Sequence, residues 1–287
     1  MRADARDRAG AVALSRAELL AAARGEREGL GRTIQYAPPE SWEAPSACPG
    51  WWNRDVVAHL AAQDTAAAQL LAGEDPVELE AYRRSLGDAP FAVDGFNDFA
   101  VANRAGRPYR EVLREWGRAA DALLALAARL PEQEWEQRRV PWIAGAIRVP
   151  YLIQSRVVEW WVHGEDIRAG AGMGPRIEHP PIFLTNDLAI RMLPWALSLA
   201  GLAFPGRSVL VDLEGAGGGT WHWGLGVREV PAEDKKPDAF IVGRAYPFAL
   251  VAARRAPAER FLDDGQLAVG GDEDLALAIL EHIRVSP

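Results

Sequence analysis

The chain has 287 residues, of which 49% are hydrophobic, and a formal charge of -8 with an isoelectric point near 5.3. That is enough apolar material for one large packed domain or two ordinary ones. An acidic chain without a basic tract excludes nucleic acid and anionic membrane surfaces as natural partners.

The opening residues, MRADARDRAGAVALSRAELLAAARGE, are charged throughout and have no unbroken apolar run ending in a small-residue cleavage site, so no signal peptide is expected. No later segment reads as a membrane span. The single cysteine, Cys48, has no internal disulfide partner, which suits a reducing compartment and a cytoplasmic location. A buried structural thiol outside the ligand-bearing helices is the reading for Cys48. Eleven tryptophans are read mostly as core.

Residues 15–37 carry apolar positions at helical spacing after a capping serine, and Pro38 and Pro39 stop them. After the loop SWEAPSACPGWW, Asn53 is expected to cap a helix that runs to Gly73. Residues 75–106 are mixed. PYREVLREWGRAADALLALAARL (108–130) is an amphipathic helix entered through Pro108, and a further helix follows Pro150 and reaches Gly170. Four long helices with short or moderate connections predict a four-helix bundle. The Gly- and Pro-rich stretch 170–181 reads as a linker. Beyond one more helix, at 182–200, the pattern turns to short strand-like runs, SVLVDLEG, TWHWGLG, AFIVGRA and QLAVGGD, with helices at YPFALVAARR and DEDLALAILEHI. The expected fold is therefore α+β, with a helical-bundle domain over 1–174 and a small α+β domain over 175–287.

The segment YLIQSRVVEWWVHGEDIRAG (151–170) holds the main chemical signal. At helical rotation, Glu159, His163, Arg156 and Asp166 fall within an arc of about 80°, while Val157, Val158, Trp160, Trp161, Val162 and Ile167 take most of the remaining circumference. A carboxylate and an imidazole four residues apart lie one above the other and can meet one ion. The same pair can also be no more than a Glu–His hydrogen bond on a half-buried face. His59, in WWNRDVVAHLAAQD, is the candidate third ligand, with a core histidine bonded to a carbonyl as the alternative. Two His and one carboxylate leave an ion an open position for water or substrate. Asp166 can orient a metal-bound His, act as a general base, or tie to Arg156 or the following loop. His179, His222 and His282 fit no ligand pattern. Arg54, Arg104, Arg107 and Arg168 are candidates for meeting an anion, or are simply solvated. GAGGGT (215–220) lies between strand-like runs, does not open a helix, and reads as a hairpin turn in place of a phosphate loop.

CPGWWNRDVVAHLAAQD and EWWVHGEDIRAGAG, in this order, resemble the two motifs of the DinB-like, mycothiol-dependent maleylpyruvate isomerase family. The resemblance extends to a C-terminal, sterol-carrier-like α+β domain, where FALVAARRAPAERF precedes a strand, Gly-Asp and a helix. It implies His59, Glu159 and His163 as ligands of a divalent metal, with zinc the default. It also implies Arg254 as a contact for the thiol cofactor or the substrate, although Ala253 stands where the family commonly has Gly. At the first motif, Trp52-Asn53 replaces a small hydroxyl residue and an aliphatic one. The implied partners are mycothiol, the low-molecular-weight thiol of actinobacteria, and a small-molecule electrophile. The implied activity is thiol-dependent cis–trans isomerisation or S-transfer by a monomer or homodimer. A non-catalytic protein that holds a small molecule or thiol in the bundle cavity is the rival expectation.

Overall fold

The computed structural model describes residues 14–142, 145–226 and 236–285. The reading of residues 1–13 as free of a signal peptide lies outside them. No described helix is long and apolar enough to cross a membrane. The chain divides into two compact units at Arg176/Ile177.

The first unit is built on four long helices. Helix α1 (Arg16–Tyr36) opens with a reciprocal cap: Glu18 accepts from the Ser15 backbone N–H at 2.8 Å, and the Ser15 hydroxyl accepts from the Glu18 N–H at 3.4 Å. A short 3₁₀ turn, Pro39–Glu43, follows. Helix α2 (Asn53–Ala72) ends on Gly73 in the left-handed conformation (φ +82°), as expected. Its start differs from the expectation. Asn53 is the first helical residue and fully buried, and its side-chain amide donates to the Ser41 carbonyl at 3.0 Å. Trp52 occupies the cap position, and its N–H is satisfied by the Asp55 carboxylate at 2.9 Å.

The mixed stretch resolves into two short helices, α3 (Val77–Leu86) and α4 (Val93–Ala102), with Gly87 at φ +56° ending the first. Helix α5 (Tyr109–Arg129) and the short α6 (Glu132–Gln137) lead into a hairpin of β1 (Arg139–Trp142) and β2 (Gly145–Arg148). Helix α7 (Val149–Gly170) completes the bundle. The main packings are α2 on α5 and α1 on α7, with α2 also against α7. Trp116, Trp160, Trp161, Leu19, Leu60 and Leu123 fill the interior. Six of the eleven tryptophans in the chain are buried.

The boundary between the units falls inside the stretch 170–181 read as a linker, and residues up to Arg176 are hydrogen-bonded to the first unit. Arg168 Nε donates to the Gly174 carbonyl at 2.6 Å, the Arg176 N–H donates to Glu165 at 2.9 Å, and the Arg176 guanidinium pairs with buried Glu26.

The second unit begins with two helices where one was expected: α8 (Pro181–Arg191) and α9 (Leu193–Leu199), the latter with Pro194 in its first turn. Four strands follow, β3 (Ser208–Glu214), β4 (Gly219–Gly224), β5 (Ala239–Arg244) and β6 (Leu267–Gly271), in the order β4-β3-β5-β6. The central pair β3/β5 is parallel, with Val209 opposite Ala239 and Val211 opposite Ile241, and both outer pairs are antiparallel. Helices α10 (Ala245–Ala252), α11 (Ala258–Asp263) and α12 (Glu273–His282) complete the unit. Val209, Val211, Leu213 and Ile241 form the buried side of the sheet, and Leu275 and Ile279 of α12 are buried with them. The Gly-rich tract is a hairpin turn, closed by Gly218 N–H to the Gly215 carbonyl at 2.9 Å. Its glycines have a packing reason: a Cβ at Gly217 would sit 2.5 Å from the Ile182 side chain.

Candidate metal centre

His59 is presented from the middle of α2, and Glu159 and His163 lie one turn apart on α7. His59 Nε2 is 3.2 Å from Glu159 Oε2, and His163 Nε2 is 3.5 Å from the same oxygen. The two imidazole rings meet edge to face with centroids 4.9 Å apart, and Trp51 lies against His59 at 5.1 Å. All three ligand candidates are thus brought together, with their donor atoms within 4.8 Å of one another. Donors in a tetrahedral zinc site with bonds near 2.0–2.1 Å stand about 3.4 Å apart. The two distances to Glu159, 3.2 and 3.5 Å, are close to that spacing.

The reason these residues face inward is the apolar circumference of α7. Trp160, Val157, Ile153 and Ile167 are all fully buried, so the stripe turns toward the bundle interior, where Arg156, His163 and Asp166 are buried and the Glu159 side chain keeps 23% of its surface exposed. Arg156, 1% exposed, finds Asp64 of α2: its Nε donates at 2.7 Å, and Trp160 Nε1 donates to the other carboxylate oxygen at 2.7 Å. Arg156 is thus paired with Asp64 and not with Asp166. Asp166 accepts instead from His163 Nδ1 at 2.8 Å.

The electrostatics follow from burial and these contacts. Burial lowers the pKa of His59 and favours the neutral imidazole, and nearby His163 and Arg156 act in the same sense. Burial would raise Glu159, but hydrogen bonds from His163 and His59 and the charge of Arg156 hold it well below the usual carboxylate range. Burial would also lower His163, and its contacts with Asp166, Cys48 and Glu159 outweigh that and raise it. Burial raises Asp64 against the pull of Arg156. Among the described residues, buried His59 Nδ1 has no hydrogen-bond partner.

Cys48 is buried in a loop outside α2 and α7, and that loop brings it to the edge of the site. Its Sγ lies 3.0 Å from Asp166 Oδ2 and 3.7 Å from His163 Nδ1. Cys48, His163 and Asp166 form a second group of donors on the opposite edge of the His163 ring. There the Asp166 oxygen is already closed by hydrogen bonds of 2.8 and 3.0 Å, shorter than ligand edges around an ion. The edge facing His59 and Glu159 is the better fit to a metal.

Two of these residues escaped sequence reasoning. Asp64 had one usable signal, because an Arg in an apolar helix requires a buried anion and Asp64 lies in the His59 helix. Cys48 had none, since its contact with residue 166 spans 118 positions through a loop.

Arg254 is in the second unit, just past α10. Its backbone is left-handed (φ +59°), and its guanidinium donates to the Glu281 carbonyl at 2.6 Å. The hydrogen bonds Arg254 N–H to Val251 and Arg255 N–H to Leu250 close the helix in the Schellman manner, with Arg in the position where Gly is usual. Arg104 is committed to Glu78 and Glu115, Arg107 to Glu115, and Arg54 to Glu43. Among the described residues, His179, His222 and His282 join neither group of candidate ligands.

Fold and cluster together define a helical-bundle protein with two imidazoles and a carboxylate meeting in its interior, followed by a mixed-sheet domain. The chain belongs to the mycothiol maleylpyruvate isomerase family: residues 3–168 match the model of the mycothiol maleylpyruvate isomerase N-terminal domain. An uncharacterized protein of Mycobacterium tuberculosis, from strains CDC 1551 / Oshkosh and ATCC 25618 / H37Rv, is 25% identical over 269 residues, spanning 92% of this chain and 94% of its own. Crystal structures of the mycothiol-dependent maleylpyruvate isomerase share the fold. A histidine-to-alanine mutant gives a TM-score of 0.59 at 15% identity, covering 90% of this chain and 95% of its own. The second structure gives 0.58 at 16%, covering 85% and 90%.

Proposed function

We propose that this chain is a metal- and mycothiol-dependent enzyme of the maleylpyruvate isomerase type, acting on a small electrophile by cis–trans isomerisation or S-transfer. The observation that carries the reading is the convergence of two imidazole Nε2 atoms on one oxygen of Glu159, at 3.2 and 3.5 Å. His59, Glu159 and His163 would hold a divalent ion, zinc being the ion best suited to this donor set. Such an ion, when bound, lowers the pKa of a thiol at its open position so that thiolate is available at neutral pH.

The chain's own residues prepare the site. Asp166 fixes the Nδ1–H tautomer of His163 and leaves Nε2 free to ligate. Burial keeps His59 neutral, with a lone pair to give. Hydrogen bonds from His163 and His59, with the charge of Arg156 held by Asp64, keep half-buried Glu159 ionised. Trp51 and the apolar faces of α2 and α7 limit water around the cluster. Arg254 is our candidate contact for thiol or substrate in the second domain; support comes from its left-handed backbone, the single case outside glycine among the described residues.

The test is metal analysis of the purified protein, followed by thermal-shift titration with mycothiol and assay on maleylpyruvate. The reading predicts one ion per chain, a mycothiol-dependent rise in melting temperature, and turnover that needs both. Metal-loaded protein that binds mycothiol but never consumes any electrophile would make it a binding protein.

A further inference from the structure

The two candidate imidazoles are supported unequally. Among the described residues His59 Nδ1 has no hydrogen-bond partner, whereas His163 Nδ1 donates to Asp166 at 2.8 Å. Asp166 in turn lies 3.0 Å from the thiol of Cys48, which is 9% exposed. The loop that brings Cys48 here is closely tied down. The Cys48 N–H donates to Ser46 Oγ at 3.1 Å, the Ser46 hydroxyl and N–H both donate to the Trp51 carbonyl at 2.9 Å, and Trp51 N–H returns to the Cys48 carbonyl at 3.1 Å. The same loop packs on the last turns of α7. Ala47 N–H reaches the Asp166 carbonyl at 3.5 Å, and a Cβ at Gly170 would lie 2.7 Å from the Pro45 carbonyl oxygen. A thiol so seated is a donor to a carboxylate that has two oxygens to aim.

We infer that Cys48 is a positioning residue of the metal centre: its S–H donates to Asp166, fixes the carboxylate against His163 Nδ1, and so sets the direction in which His163 Nε2 meets the ion. The chain Cys48, Asp166, His163 extends the carboxylate–histidine support of a metal ligand by one further member. No bond is made or broken, and the thiol is not itself a ligand. The inference rests on the metal reading above and concerns residues that hold the ligand rather than the ion.

The experiment uses the full-length protein stripped of metal, titrated with zinc against a chromophoric chelator and separately loaded with cobalt(II) for absorption spectroscopy. Variants are Cys48→Ala, Cys48→Ser and Asp166→Asn. Removing outer support of a metal ligand costs about 10–100-fold in affinity. Cys48→Ala is expected to weaken zinc binding about tenfold and to alter the cobalt ligand-field bands, Asp166→Asn to weaken it at least as much, and Cys48→Ser to restore near-native affinity. Native affinity and spectrum in Cys48→Ala, even with a lowered melting temperature, would leave Cys48 a packing residue and overturn the inference alone. A thiolate-to-cobalt charge-transfer band in the native protein, lost in Cys48→Ala, would also overturn it by making Cys48 a ligand. A native chain that takes up no ion removes both this inference and the metal reading.

Discussion

The two domains contain the same small device in different settings. In the bundle, Asp64 accepts from the indole of Trp160 and from Arg156 Nε, each at 2.7 Å. In the sheet domain, Asp187 accepts from the indole of Trp221 at 3.0 Å and from Arg191 Nε at 2.8 Å. Both carboxylates are fully buried. The differences lie in the arginine and in what surrounds it. Arg191 is on the same helix as Asp187 and its side chain is 12% exposed, whereas Arg156 comes from a different helix and is 2% exposed. Arg156 also acts on His59 and Glu159 through its charge. The sheet-domain device is a brace between α8 and β4. The bundle device braces α2 to α7, and its arginine in addition acts through its charge on His59 and Glu159 of the candidate metal site.

This contrast can be broken most directly at Asp64. Asp64→Ala leaves a buried guanidinium unpaired and should cost about 3–5 kcal/mol in denaturant unfolding; a loss below 1 kcal/mol would show that Arg156 has another sink for its charge. Metal removal comes next. Chelation should lower the stability of the native protein by about 3 kcal/mol if the ion was present at about 100 times its Kd, while His59→Ala should be insensitive to chelator; equal chelator effects on both would move the ion elsewhere. In the sheet domain, Asp187→Ala should cost about 1–3 kcal/mol, because Arg191 can turn to water and the main loss is the indole's partner. Its zinc affinity should stay native, and a shift there would erase the distinction between the two devices. The smallest effect is expected at Arg254→Gly. Relief of a left-handed non-glycine backbone, about 1–2 kcal/mol, is partly offset by the freer unfolded chain, so the melting temperature should rise slightly; a marked fall would mean the Glu281 contact matters more than the strain.

Much of this was legible in the sequence, for identifiable reasons. The helices of the bundle announced themselves through period, caps and stop residues, and Glu159 and His163 through a polar stripe on an apolar helix. His59 joined them by lying on another helix of suitable chemistry. The single helix expected over 182–200 splits at Met192, and Pro194 was the overlooked signal. Asn53 looked like a cap by residue type, but tertiary packing against Ser41 used its side chain elsewhere. The contacts of Cys48 and Asp64 join positions 118 and 92 residues apart. Pairings of that kind are decided by how helices and loops pack, which no local pattern records.

The most direct test of the central claim is metal stoichiometry, by elemental analysis, of the native chain beside His59→Ala and His163→Ala. The account predicts one divalent ion per native chain and loss of that ion in each variant with its helical content retained; full metal retention in both variants would contradict it.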